Sequence, residues 1–153
     1  MEGRPSFVAG YHLEGAVMKH LVIFADGASL GNPGPGGLGV SIQNPDGVEV
    51  DALAIPAGHV TNNIAEYRAL IEGLKRVIVL GAMRVDAFMD SQLVVEQVAG
   101  RYKVRQPHLV PLCAEARALL AKIPHRTLRH IRREKNMRAD ALSKQGAALN
   151  RQK

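Results

Sequence analysis

Four carboxylates stand at positions where an acid contributes little to a core. Asp26 follows the apolar run Lys19–Ala25, and Asp90 follows a second such run, Arg84–Met89. Two buried strands that both end in Asp point to one shared edge of a sheet, where α/β proteins commonly place their sites. Glu66 falls in the first turn of a predicted helix that begins after Thr61-Asn62-Asn63, and Asp140 falls early in a predicted Ala-rich helix. Each acid has an ordinary structural explanation: turn initiation before Gly27 for Asp26, a helix cap for Asp90, a capping box Asn63-x-x-Glu66, and the helix macrodipole for Asp140. Together they form a set of oxygen ligands with no Cys and no paired His among them. Carboxylates a few ångströms apart cannot all stay ionised without a cation. Hard oxygen donors suit Mg²⁺ or Mn²⁺ rather than zinc, and such a site suits phosphodiester chemistry.

The elements that must position these acids can be read from period and punctuation. Lys19–Ala25 predicts a buried strand, and Leu30–Gly37, dense in Gly and Pro, predicts a turn. Leu38–Gln43 and Val48–Ile55 flank Asn44-Pro45-Asp46-Gly47, a hairpin signal. Ile64, Tyr67, Leu70, Ile71, Leu74 and Ile78 fall on one helical face that closes at Gly81. Further expectations are a strand at Arg84–Met89, helices at Gln92–Ala99 and Leu109–Ile123, a strand at Thr127–Arg132, and a helix at Asn136–Leu149. The order β-β-β-α-β-α-α-β-α, without linker or repeat, predicts a single α/β domain with a mixed sheet over residues 18–150. Residues 1–17 show no clear period and read as an N-terminal extension.

Gly34-Pro35-Gly36-Gly37-Leu38-Gly39 matches the spacing G-x-G-x-x-G, but a dinucleotide site needs a helix to follow. A hairpin follows here, Pro35 removes an amide donor, and no Lys-Ser/Thr pair completes a P-loop. Over 153 residues, 46% hydrophobic and 22% charged content is ordinary for a soluble domain. The lone Cys113 excludes an intrachain disulfide and a Cys-based finger, and reads as a small core residue. The absence of a long apolar stretch argues against a membrane span or secretory signal, which leaves a reducing cytoplasm as the expected compartment. The net charge of +6 is lopsided: residues 1–76 carry five Lys/Arg against eight Asp/Glu, residues 77–153 fifteen against six. A basic half suits a nucleic-acid partner. With no Trp and only three Tyr and three Phe, such a partner must be held mainly by its backbone.

Four segments carry a resemblance to a known family. Phe24-Ala25-Asp26-Gly27-Ala28-Ser29-Leu30-Gly31-Asn32-Pro33-Gly34-Pro35-Gly36-Gly37, Thr61-Asn62-Asn63-Ile64-Ala65-Glu66, Asp90-Ser91-Gln92-Leu93-Val94, and Asn136-x-x-Ala139-Asp140 resemble the type 1 ribonuclease H family over about residues 19–149. The resemblance implies a ribonuclease H-like fold, a five-stranded mixed sheet of order 3-2-1-4-5 flanked by helices. It also implies an endoribonuclease that cuts the RNA strand of RNA/DNA hybrids. Asp26, Glu66, Asp90 and Asp140 match the family's metal-binding acids. Two Mg²⁺ or Mn²⁺ ions about 4 Å apart are implied, bridged by Asp26, with 5′-phosphate and 3′-hydroxyl products. Glu66 matches an acid near the ribose 2′-OH, the group that tells RNA from DNA. Gly27, Ser29, Asn32, Thr61, Asn62, Asn63, Ser91 and Gln92 are the implied substrate contacts.

Two departures from the family pattern matter. Where many members insert a basic, Trp-bearing helix, only Arg101-Tyr102-Lys103-Val104-Arg105-Gln106 lies between Gly100 and Pro107, as in the shorter, archaeal-like branch. Arg101, Lys103, Arg105 and the Arg129–Arg138 region, Asn136 included, are then the expected substitutes for its phosphate contacts, with solvated loops as the plain alternative. Second, Arg133-Glu134-Lys135 stands where a loop His commonly precedes the last acid, and Arg133 or Glu134 could replace it. Double-stranded RNA stays open as a further ligand, and no obligate protein partner is implied. The alternatives are a catalytically silent hybrid- or double-stranded-RNA-binding domain, or a nuclease of other preference on the same fold.

Overall fold

A computed structural model describes residues 19–150; the expected extension at 1–17 lies outside the described residues. Five strands form one sheet in the order β3-β2-β1-β4-β5: β1 (His20–Ser29), β2 (Gly34–Gln43), β3 (Glu49–Val60), β4 (Arg84–Met89) and β5 (His125–His130). β1, β2 and β3 are joined antiparallel, while β4 runs parallel to β1 and β5 parallel to β4. The helices are α1 (Asn62–Val79), α2 (Gln92–Val98), α3 (Val110–Ala121) and α4 (Met137–Leu149). Among the described residues no helix is long and apolar enough to cross a membrane.

Strand alternation decides which helix each face meets. Ile23 and Ala25 of β1, Leu38, Val40 and Ile42 of β2, and Val85, Ala87 and Met89 of β4 are fully buried. They pack with Leu70, Leu74 and Val77 of α1 in one core. The opposite face of β2 carries Gly37 and Gly39, against which α4 lies. A Cβ on Gly37 would come within 1.9 Å of Ser143 O, and one on Gly39 within 2.2 Å of Ala139 O. The helix backbone therefore rests directly on the strand, a distance no side chain permits.

This contact corrects one expectation. Leu30–Gly37 is not a turn throughout, because β2 already begins at Gly34, with Gly36 and Gly37 paired to Ser29 and Ala28. Glycine is dense there because a helix presses on the strand, not only because the chain reverses. β3 also runs on to Val60 through a bulge opposite Gly36 and Gly37. β5 starts and ends two residues earlier than expected. Asn63 does not cap α1. Thr61 does, its Oγ1 accepting from Ile64 N at 3.3 Å, so the Asn63-x-x-Glu66 box is not formed and Glu66 lies beyond the first turn. The cap at α2 is Ser91 rather than Asp90.

Candidate active site

Asp26 sits near the end of β1, on the face that meets α4, and is 7% exposed. Its neighbour Gly27 faces the other way, and a Cβ there would lie 2.2–2.4 Å from the Ala65–Glu66 peptide. The missing side chain is what seats Glu66 of α1 beside the end of β1. β1 and β4 are in parallel register up to Ala25 and Met89, so the next residues, Asp26 and Asp90, emerge side by side. Asp140 reaches the same place because α4 is pressed against Gly39, the partner of Asp26 in the sheet.

Neighbouring side chains fix these carboxylates. Ser143 Oγ lies 3.2 Å from Asp26 Oδ2 and 2.7 Å from Asp140 O. Buried Asn136 donates from Nδ2 to Ala25 O at 3.0 Å and to Asp90 Oδ1 at 2.9 Å, tying the acid after β4 to the backbone of β1. Its own Oδ1 has no partner. Lys144 Nζ is 3.0 Å from Asp140 Oδ2, and Arg133 Nε is 3.7 Å from Asp90 Oδ2.

Burial, then the nearby charges of Asp90 and Asp140, push the Asp26 carboxyl up to about 8. Burial raises Glu66 to about 7, against the lowering influence of a hydrogen bond with Ser91 and of the Arg133 charge. Like charges that cannot all ionise together make a seat for a cation. The donors are all hard oxygens, which fits Mg²⁺ or Mn²⁺. As placed, no three His, Cys, Asp or Glu among the described residues are already gathered to hold one ion. Lys144 and Arg133 supply the compensating positive charge instead.

The remaining expected residues divide by place. Ser29 N donates to Asn62 Oδ1 at 3.0 Å, and Asn62 N donates to Asn32 Oδ1 at 2.9 Å. This stitches the β1–β2 connection to the start of α1. Gly27, Ser29, Asn32, Asn62, Asn63 and Arg133 line, with Asp26, Glu66 and Asp140, a cleft of about 400 Å³. Thr61 and Ser91 serve as caps, and Gln92 is exposed at the start of α2. A second groove of about 470 Å³ is lined by Arg101, Tyr102, Lys103, Arg105 and Gln97, and it also reaches Asn63. The two concavities thus meet at Asn63. Glu134 pairs with Arg132 at 3.1 Å, both exposed, and does not line the cleft. Asn136 is 2% exposed and holds Asp90 rather than facing the cleft. Ser143, Lys144 and Gln97 are absent from the sequence reading. Of these, only Lys144 carried a local signal, four residues after Asp140 on the same helix.

Residues 24–146 match the family model described as "Reverse transcriptase-like". The chain belongs to this family. Its fold is the ribonuclease H-like one: the structure of LC11-RNase H1 in complex with RNA/DNA hybrid superposes with a TM-score of 0.80 at 37% identity, over 85% of this chain and 98% of that one. The bifunctional protein Rv2228c of Mycobacterium tuberculosis is 44% identical over 124 residues, which is 80% of this chain and 34% of that protein. A protein of Halobacterium salinarum named ribonuclease HI is 38% identical over 120 residues, 78% of this chain and 60% of that one. The chain thus spans about a third of the length of the first of these curated relatives. In this reverse transcriptase-like domain the segment 101–106 carries no helix, so the basic, Trp-bearing helix has no counterpart there.

Proposed function

We propose that this domain is an endoribonuclease that cuts the RNA strand of RNA/DNA hybrids with the help of divalent cations. The observation that carries this reading is the approach of Asp26 on β1, Glu66 on α1, Asp140 on α4 and Asp90, just after β4, to one rim of the sheet. There, burial and then the charges of Asp90 and Asp140 raise the Asp26 carboxyl to about 8. Likeness to a protein named ribonuclease HI and to a ribonuclease H1 bound to a hybrid supports the reaction and the substrate.

Asp26, Glu66, Asp90 and Asp140 would hold Mg²⁺ or Mn²⁺, two ions per site. Bound there, the ions would activate water and offset charge on the departing ribose 3′-oxygen, leaving 5′-phosphate and 3′-hydroxyl ends. The chain's own residues do the rest. Asn136 and Ser143 would hold the carboxylates of Asp90 and Asp26 in place at the rim. Glu66, which lines the cleft with Asn62 and Asn63, would meet a ribose 2′-OH, the chemical mark of RNA. Ser29, Asn32, Asn62, Asn63 and Gln92 offer polar groups for sugar and phosphate, and Arg101, Lys103 and Arg105 offer cations for the backbone. Arg133 stands beside Asp90 where the family commonly places a His, and it would keep a phosphate close without shuttling a proton.

The alternative is a domain that binds without turnover on the same fold. Labelled RNA/DNA hybrid, double-stranded RNA and DNA duplex, each incubated with Mg²⁺ or Mn²⁺, separate the two. The proposal expects the hybrid's RNA strand to be cut, and cutting to stop when the metal is chelated. Hybrid binding without cleavage under every divalent ion would leave the silent domain instead.

A further inference from the structure

Beneath the basic segment 101–106 lies a buried polar cluster that the chemistry above does not use. Gln97 is 3% exposed and Tyr67 is fully buried. Tyr67 Oη donates to Gln97 Oε1 at 2.7 Å, and Gln97 Nε2 reaches Lys103 O at 3.5 Å, the long end of a hydrogen bond. The main-chain oxygen of Gln97 accepts from Arg117 Nη2 at 2.7 Å and from Cys113 Sγ at 3.6 Å, while Arg117 Nε donates to Val98 O at 3.2 Å. One glutamine therefore joins α1, α2, α3 and the basic segment. A buried amide is costly unless satisfied. An apolar pair of similar size would hold these helices without that cost, so the polar pair calls for a reason beyond packing.

The direction of the amide supplies that reason. A phenol donating to Oε1 forces the other end, Nε2, toward the 101–106 segment. The segment is held from its start as well. Gly100, with φ of +84°, turns the chain out of α2, and Arg101 N and Tyr102 N donate to Glu96 O at 2.9 and 3.1 Å. Val104 packs against the core, whereas Lys103 and Arg105 are exposed. Holding Lys103 O from below thus fixes which side chains of the segment turn outward, into the groove that meets the acid cleft at Asn63.

We infer that Tyr67 and Gln97 are positioning residues that set the basic segment for a nucleic-acid backbone, so that they govern affinity for the hybrid rather than the rate of bond breaking. This rests on the proposed function. Tyr67→Phe removes one hydroxyl and keeps the ring; Gln97→Met removes both amide ends at similar size and serves if the first variant folds poorly. With Mg²⁺ the KM for hybrid is expected to rise about threefold to tenfold, the worth of one net hydrogen bond, with kcat within about twofold. In a Lys103→Ala background the same substitution should add little, because both act through one segment. Hybrid affinity measured by fluorescence anisotropy without divalent ion should weaken to the same extent. A variant with lowered Tm but unchanged KM and affinity would overturn the inference, as would an effect that multiplies in full with Lys103→Ala. A wild-type protein that binds hybrid and never cuts it would sink the proposed activity alone, since the affinity comparison would still test the positioning.

Discussion

Asp86 and Asp26 are the same residue type on neighbouring strands of one sheet, on the same face, and their surroundings drive them in opposite directions. Asp86 lies in the middle of β4. Burial works to raise its carboxyl, but hydrogen bonds from Thr127 at 2.7 Å and from His20 at 2.7 Å, with the charge of Arg84, leave it below the ordinary value. Asp26 lies near the end of β1, where burial and the charges of Asp90 and Asp140 outweigh its hydrogen bond from Ser143. Burial works to raise both and weighs most on Asp26, the more deeply buried of the two. The company each keeps widens the difference between an acid that fastens three strands and an acid crowded by others.

The largest expected contrast is in turnover. Asp26→Asn should slow hybrid cutting by at least about a hundredfold, as the loss of a group acting directly on the reacting phosphate does. Asp86→Ala, in the middle of the neighbouring strand β4, should leave the rate within about twofold of wild type. Initial rates on a labelled hybrid check both, and similar losses in the two variants would erase the distinction.

Stability should respond with opposite signs. The Asp26 carboxyl, raised from 3.8 to about 8, holds a proton in the fold that the unfolded chain has lost. Metal-free stability therefore falls as pH rises between those values. Asp26→Asn keeps that site neutral, so it should raise Tm at pH 8 and change it little near pH 4. Asp86 is held low, so its contribution is present at neutral pH and is lost as pH falls through its folded value. Asp86→Ala, which leaves Thr127 and His20 without their acceptor, should lower Tm at pH 7 by roughly 3–5 °C, the equivalent of about 1 kcal/mol. Thermal melts of the chelated proteins across pH test each sign.

Much of this architecture was legible because local pattern and tertiary role agree. Arg84–Met89 is a strand with the expected bounds, and Tyr67, Leu70, Ile71 and Leu74 do turn into the core. Patterns that serve a distant element were read as local ones. The glycines at 34–37 looked like a turn because nothing nearby announces the helix, more than a hundred residues later, that rests on Gly37. Asn63-x-x-Glu66 looked like a cap because the closer competitor, Thr61, fills that role. At the rim, the four acids were visible one at a time. Their convergence depends on Gly27 and Gly39 yielding space to α1 and α4, and on Ser143 meeting Asp26 across 117 positions of sequence. Gln97 reads as one polar residue in a short helix, and only the fold puts a phenol on one side of its amide and the basic segment on the other.

A Mn²⁺ titration of the chelated protein at pH 8, followed by Tm, tests most directly whether these clustered acids form a cation site. The rim should bind with a saturable rise in Tm that shrinks at pH 6, where Asp26 keeps its proton, and that disappears in Asp90→Asn while surviving in Asp86→Ala. An equal rise in Asp90→Asn, or no rise in the wild type, would mean that the four acids do not form a divalent-cation site.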